Sequence, residues 1–450
     1  MHIVILGNGI SGITAARFIR KQSEHQITVI SAESDYFFSR TALMYIYMGH
    51  MQLKDTQPYE PWFWEKNRIQ LQKAWIEKID FDQKQLHTSE GNPISYDKLV
   101  LAVGSTPNKF GWPGQDLDRV SGLYTLQDLS AMESASQAGI QRAVIVGGGL
   151  IGIEMAEMFH SRHIPVTILV RENSYWDMVL PPEESRMINR HIIEHGIDLR
   201  LETELKEIVD DGHGKACAVI TNTGERIDCQ YVGLTAGVHP NVGFLKNSGL
   251  EIEKGILVDE YLQTNLPDVY ALGDCAQLRN PNPGRRPIEA VWYTGRMMGE
   301  VAAYNICGQK IAYDPGTWFN SAKFLDIEYQ IYGDVQARAP EHHQQLYWEH
   351  EDGKKSIRII YDQSSQKVLG FNLMGIRYRH EVCERWIQQA TPIQEVLEQL
   401  ALANFDPEFY KTFEKHVIQT YNQQNETKLR LKSKSKLADV LRFLKSPVDA

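Results

Sequence analysis

The chain is poor in cysteine, and none of its cysteines is spaced for chemistry. Five occur in 450 residues (Cys217, Cys229, Cys275, Cys307 and Cys383), an odd number with no CxxC or CxxxxC pair among them. That excludes a short-spaced redox disulfide and a cysteine-rich zinc or iron-sulfur site, and it favours a reduced, cytoplasmic setting. Long apolar runs are missing too. No stretch reaches the ~20 apolar residues of a spanning helix, and the N-terminus carries neither a basic leader nor a cleavage site. The expectation is a protein that is neither integral to a membrane nor exported by a recognisable signal. Positive charge is in deficit: 47 Lys and Arg face 57 Asp and Glu, a net charge of −10. A phosphate backbone is repelled by such a molecule taken whole, so nucleic acid is a poor partner. Nor does any His and carboxylate spacing suggest a metal, or any serine sit in a nucleophile elbow.

What is present is globular. Hydrophobic residues make up 42% and charged residues 23%, and the length calls for two or three domains of roughly 100–200 residues. The first informative stretch is HIVILGNGISGITAARFIRK, where an apolar strand (Ile3 to Leu6) runs into Gly7, Gly9 and Gly12 and then into a helical pattern. Gly7 permits the turn, Gly9 lets a pyrophosphate approach the backbone, and Gly12 lets the helix pack close to the sheet. A second strand, Gln26 to Ile30, follows, with Glu33 as the nearest carboxylate able to reach an adenosine ribose.

The same unit then recurs. Ala143 to Val146 form an apolar strand, followed by Gly147, Gly148, Gly149 and Gly152, the helix IGIEMAEMFHSR, and the strand Val166 to Val170. Each copy is followed by a similar signal, YDKLVLAVGSTPN from Tyr96 and YVGLTAGVHPN from Tyr231. Two related motifs in the same order in both halves point to two dinucleotide sites. Between them KACAVITNTGERIDCQYV reads as a β-hairpin with Cys217 and Cys229 in opposite arms, two packed thiols rather than a disulfide in a reduced compartment. NLPDVYALGDCAQ is a strand ending in Gly273 and Asp274, an acid suited to a sugar alcohol or to a helix cap. His239 and Cys275 read as packing residues. From Gly316 the pattern changes to antiparallel strands (SAKFLDIEYQIYGDV, IRIIYD, KVLGFNLMGIR), closed by helical segments near 381–400 and 407–424.

The combination GNGISG, AVGSTPN, GGGLIGIE, TAGVHPN and VYALGD, with IEAVWYTGRMMGEVAAYNICG from Ile288, resembles the two-dinucleotide flavoprotein reductases of the pyridine-nucleotide-disulfide oxidoreductase superfamily over residues 1 to about 310. The segments FFSRTALMYIYMGH and LANFDPEFY resemble the flavin-side and C-terminal interface segments of its coenzyme A disulfide reductase, NADH oxidase and ferredoxin, rubredoxin and nitrite reductase branches. The resemblance implies an α/β fold of two Rossmann-like domains, glutathione-reductase-like, plus a C-terminal α+β domain. It divides the chain into 1–115 with 246–315 for FAD, 116–245 for NAD(P), 316–425 for an interface and 426–450 as a tail. It implies FAD contacts by Gly7, Gly9, Ile10, Ser11, Gly12, Glu33, Arg40, Ile76, Ala102, Gly104, Gly273 and Asp274. NAD(P)H would be held by Gly147, Gly149, Ile151, Gly152, Arg171 and Gly237, with Glu154 at the nicotinamide and Glu154 and Arg40 in catalytic positions.

The departures from the family are informative. Thr41 stands where coenzyme A disulfide reductases and NADH oxidases carry a redox cysteine, and a threonine cannot form a sulfenate or mixed disulfide. Electrons would then leave the flavin directly, for an iron-sulfur protein, a quinone or another small acceptor. Arg171, at the end of VTILVRE, tilts the coenzyme towards NADPH, while its neighbour Glu172 would restore a preference for NADH. Residues 427–446 carry a net +6 against −16 elsewhere, and Leu437, Val440, Leu441 and Leu444 fall at helical spacing. Such a basic tail suits a membrane surface or a partner as well as it suits solvent or docking as a helix on the acidic body. The cluster Arg377, Arg379 and His380 suits helix capping, or an acidic electron-transfer partner. The overall expectation is an FAD-dependent NAD(P)H oxidoreductase and a homodimer by analogy. The alternatives are a peripheral quinone reductase at the inner face of the membrane and a redox-sensing flavoprotein of the apoptosis-inducing-factor type.

Overall fold

The computed structural model describes residues 1–89, 91–405 and 411–432. The chain forms two compact units, the first made of Met1–Trp176 and Ile192–Gly316, the second of Asp177–His191 and the described residues from Thr317 onwards.

The first unit holds two parallel five-stranded sheets. In one, the strand order is Val269–Ala271, Lys98–Leu101, His2–Leu6, Gln26–Ser31, Ile69–Lys73. In the other it is Asp198–Arg200, Val166–Leu169, Ala143–Val146, Tyr231–Leu234, Val120–Ser121. The strand that opens each repeat lies centrally, its residues buried on both faces, which is why both read as unbroken apolar runs rather than as alternating patterns. The repeat extends to individual hydrogen bonds. Gly7 N–H donates to Ile30 O (2.8 Å) and Gly147 N–H to Leu169 O (2.9 Å), while Ala102 N–H donates to Leu6 O (2.8 Å) and Thr235 N–H to Val146 O (2.9 Å).

The turns after these strands explain their glycines. Gly7 and Gly147 adopt φ +115° and +128°, and a Cβ on either would meet a carbonyl oxygen, Ala102 O at 2.0 Å or Thr235 O at 2.6 Å. Gly12 and Gly152 serve packing, since a Cβ there would lie 2.1 and 2.4 Å from the carbonyl oxygens of Gly7 and Gly147. The two TPN and HPN signals also meet each other. Strands Ser105–Pro107 and Val238–Pro240 pair antiparallel, with Thr106 opposite His239, whose ring nitrogens contact Thr106 Oγ1 (3.0 Å) and Asn108 Oδ1 (2.8 Å).

Smaller sheets complete the unit. The expected hairpin is present as Ala216–Thr221 and Arg226–Asp228, with Cys217 and Cys229 as free thiols. A three-stranded sheet, Ile76–Asp80, Gln85–Thr88 and Ile94–Ser95, escapes the sequence reading because its strands are short and only partly buried. Helix Trp292–Ile306 lies on helix Ile10–Gln22 through Gly295 and Gly299, which would place a Cβ 2.6 Å from Ser11 Oγ and 2.4 Å from Ser11 O.

The second unit is an antiparallel sheet in the order Phe319–Phe324, Ile327–Gly333, Val368–Met374, Ser356–Asp362, His343–Glu349. The last is an edge strand that the sequence reading passed over. Its polar composition (HQQLYWE) leaves only Leu346 fully inside. The single helix expected near 381–400 is two, His380–Gln388 and Ile393–Glu398, because Pro392 has no N–H to continue the first and caps the second. Helix Glu414–Asn425 closes the core around Trp386, Val417 and Tyr421. Residues 406–410 of LANFDPEFY, and the tail from 433, lie outside the described residues. No helix among the described residues is long and apolar enough to cross a membrane.

Candidate functional site

A cavity of about 810 Å³ opens in the first unit, within the size range of ligand sites. It is lined by Gly7, Gly9, Ile10, Ser11, Glu33, Arg40, Ile76, Ala102, Gly104 and Asp274, and also by Ile151 and Glu154 from the second repeat. Twelve residues singled out from sequence, spread over 268 positions, therefore face one space. Thr41 lines it as well, and no cysteine does among the described residues.

The entrance of helix Ile10–Gln22 is open. Its N-cap, Gly9, supplies no side-chain cap, its first turn has no acid, and a Cβ on Gly9 would meet nothing within 4 Å. Helix Leu150–Ser161 begins the same way at Gly149, where a Cβ would meet only Trp176 Nε1 at 4.0 Å. By contrast, helix Leu126–Gln137 has a complete capping box from Thr125 and Asp128. Bare helix N-termini beside vacant space suit anions such as a pyrophosphate. The need is sharpened by charge, because Arg40 is the one cation among the described lining residues and is already paired.

That pair is tightly built. Arg40 donates to both Glu33 oxygens at 2.9 and 2.6 Å and to Tyr124 O, and it lies 4.6 Å from the Tyr124 ring centroid. Burial alone would depress the guanidinium, but Glu33 holds its pKa above the ordinary value. Glu33 also accepts from Leu126 N–H at 3.0 Å. Asp274 is half-buried just beyond the strand Val269–Ala271 and accepts from Tyr124 Oη at 3.1 Å. Burial raises its pKa, against the opposing pull of that hydrogen bond and of Arg40. Tyr124 in turn accepts from Ser105 N–H at 2.9 Å. Glu154 is pushed up to about 7, first by burial and then by the neighbouring charge of Glu157. A carboxyl poised near neutrality in a cavity can hold or release a proton under ordinary conditions.

Other residues singled out from sequence stand elsewhere. Gly12, Gly147, Gly149, Gly152 and Gly273 shape the turns without lining the cavity, and Gly273 takes φ +72° against Ser11. Gly237 sits beside Asn108, each next to an end of the paired strands Val238–Pro240 and Ser105–Pro107. Arg171 is largely exposed and its guanidinium is engaged by Glu172 at 2.8 and 3.1 Å. Cys275 is buried, donates to Leu101 O at 3.4 Å and has its pKa pushed up to about 11, consistent with packing. In the second unit Arg377 pairs with Glu328, and His380 packs on Phe319 and Tyr332. Among the lining residues not singled out from sequence are Tyr124 and the aromatics Phe38, Trp75, Phe244 and Trp292. Phe38 and Trp292 lie inside segments already marked, FFSRTALMYIYMGH and the stretch from Ile288, while Tyr124, Trp75 and Phe244 lie outside every marked motif.

Residues 1–299 match the family model for pyridine nucleotide-disulphide oxidoreductases. The chain is 30% identical over 367 residues to the nitrite reductase (NAD(P)H) of Bacillus subtilis strain 168, covering 80% of this chain and 43% of that protein. It is also 30% identical over 303 residues to the nitric oxide reductase FlRd-NAD(+) reductase of Salmonella schwarzengrund, covering 66% of this chain and 79% of that protein. The chain thus spans less than half the length of the Bacillus subtilis relatives it matches. Among solved structures, an NAD-dependent persulfide reductase from A. fulgidus superimposes with a TM-score of 0.84 at 22% identity, over 100% of this chain and 92% of that one. The chain belongs to the pyridine nucleotide-disulphide oxidoreductase family, whose members are oxidoreductases that use FAD and a nicotinamide nucleotide.

Proposed function

We propose that the chain is an FAD-dependent NAD(P)H oxidoreductase that passes electrons to an external acceptor, an iron-sulfur protein or a small molecule, without a catalytic cysteine. One observation carries the reading: a single cavity is lined both by the first glycine turn and by Ile151 and Glu154 of the second repeat. FAD, when bound, supplies hydride acceptance and one-electron release. The chain's own residues do the rest. The bare N-terminus of helix Ile10–Gln22 receives the pyrophosphate, and Asp274 accepts hydrogen bonds from a sugar-type hydroxyl. The matching N-terminus at Gly149 receives the nicotinamide nucleotide. Glu154 holds a proton near neutral pH at the cavity wall, and Arg40, fixed by Glu33, is the cation among the described residues that line the same cavity. Thr41 supports direct exit of electrons, because its hydroxyl has no thiol chemistry to offer.

The similarity to a nitrite reductase and to a FlRd-NAD(+) reductase supports a redox protein as acceptor. The test is anaerobic mixing of the purified protein with NADH and with NADPH, followed by a screen of ferredoxins, rubredoxins, quinones and oxygen. Stoichiometric flavin bleached by one of the nucleotides is the expected result. A protein that takes up no flavin, or whose flavin neither nucleotide bleaches, would refute the assignment.

A further inference from the structure

Helix Leu150–Ser161 brings Ile151 and Glu154 to the cavity near its N-terminal end. Its other end is held by an arrangement that lies outside both glycine turns. Arg162, the first residue beyond the helix, forks onto Glu133 with 2.9 and 2.5 Å bonds and donates to Tyr47 O at 2.5 Å. Its guanidinium also lies 3.6 Å from the Tyr47 ring centroid. Tyr47 is 1% exposed, meets Ser136 Oγ at 2.5 Å and sets its ring edge against Phe159, 5.8 Å between centroids.

These contacts tie three elements at one point. Tyr47 ends the short helix Leu43–Tyr47, which directly follows the cavity residues Arg40 and Thr41. Glu133 and Ser136 belong to helix Leu126–Gln137, whose opening N–H is held by Glu33, the partner of Arg40. The third element is the helix that carries Glu154. Arg162 lies eight residues beyond Glu154, about 12 Å along a helix at 1.5 Å per residue, too far to touch a reacting group. A planar fork that satisfies a carboxylate, a carbonyl and an aromatic face together fixes direction as well as distance.

Building on the proposed oxidoreductase reading, we propose that Arg162 is a positioning residue for hydride transfer, setting the placement of Glu154 and Ile151 against the segment that carries Arg40 and Thr41. None of its partners lies on a glycine turn or among the residues that line the cavity, so the proposed role is placement of those residues and not contact with the cofactor.

The test is a double-mutant cycle of Arg162→Gln and Glu154→Gln, read as the rate of flavin reduction at saturating nicotinamide under anaerobic conditions. Arg162→Gln is expected to slow reduction about 10-fold with the nucleotide's apparent Kd and the FAD content unchanged. The double variant should be no slower than the slower single one by more than about 3-fold, because both changes act through one group. Arg162→Lys, which keeps the charge but not the fork, should recover only part of the rate, and Tyr47→Phe, which keeps the ring and the carbonyl, most of it. Amide exchange in 43–47 and 126–137, measured without nucleotide, should quicken in Arg162→Gln. Strict additivity, or faster exchange with an unchanged reduction rate, would overturn the proposal. So would loss of FAD from Arg162→Gln together with an undiminished rate in the fraction that stays loaded. A wild-type flavin that no nucleotide reduces would instead refute the oxidoreductase reading itself.

Discussion

Asp274 is half-buried at the cavity wall and held by Tyr124, so replacing it changes the cavity's polarity more than its shape. Asp274→Leu is expected to be purified with well under one equivalent of flavin, scored from the visible absorbance of the protein. Full retention of flavin would remove the sugar-binding role. Glu154 is a more sensitive probe. Its folded-state pKa, near 7, lies above the value of 4.5 that it has when unperturbed. Its contribution to stability is therefore fully present below about pH 4.5 and is lost as pH rises through about 7. Glu154→Gln should flatten that part of the profile. In melts of the flavin-free protein, the difference in Tm between pH 5 and pH 8 should shrink relative to wild type, through a relative gain at pH 8. An identical difference in both proteins would mean that Glu154 titrates normally.

At the scale of elements, the glycine turns and the helices behind them decide whether the cavity exists. Helix Trp292–Ile306 approaches helix Ile10–Gln22 so closely at Gly299 that a Cβ would lie 2.4 Å from Ser11 O, a backbone atom that cannot swing aside. In an open helix Gly→Ala would gain up to about 1 kcal/mol. Here overpacking, at about 1–3 kcal/mol, should win and make Gly299→Ala destabilising in urea unfolding. A stabilised variant would show that the two helices part without cost. Helix Leu126–Gln137 depends on its cap instead, where Thr125 Oγ1 accepts from Asp128 N–H at 3.0 Å. Thr125→Ala should cost about 1 kcal/mol in the same experiment, and a change below a few tenths would show the box to be redundant.

For the whole molecule, the second unit has its own source of stability. Arg358, 3% exposed, meets Glu184 with two 2.8 Å bonds and Glu183 at 2.6 Å, and Asn372 donates to Glu184 at 3.1 Å. Removing one partner strands a fully buried carboxylate, so Arg358→Met should destabilise the protein by roughly 3–5 kcal/mol in denaturant. A loss under about 1 kcal/mol would mean that water reaches Glu184. The repeated strand-glycine-helix units, the hairpin and the change to antiparallel strands after Gly316 were legible in the amino-acid order, because apolar period and turn chemistry are local properties. So was the glycine cradle, since a positive φ or a close backbone approach leaves few other choices. The locking of Glu33 by Arg40, the seat of Tyr124 between Ser105 and Asp274, and the grip of Arg162 on Tyr47 join residues 7 to 150 positions apart. No periodicity records such pairings. The order of residues determined where the two glycine turns and the bare helix N-termini behind them would form, and only tertiary packing decided that Glu154 of the second repeat would face the cavity of the first. Burial and a neighbouring charge set the pKa of Glu154, and both depend on what the folded chain brings alongside it.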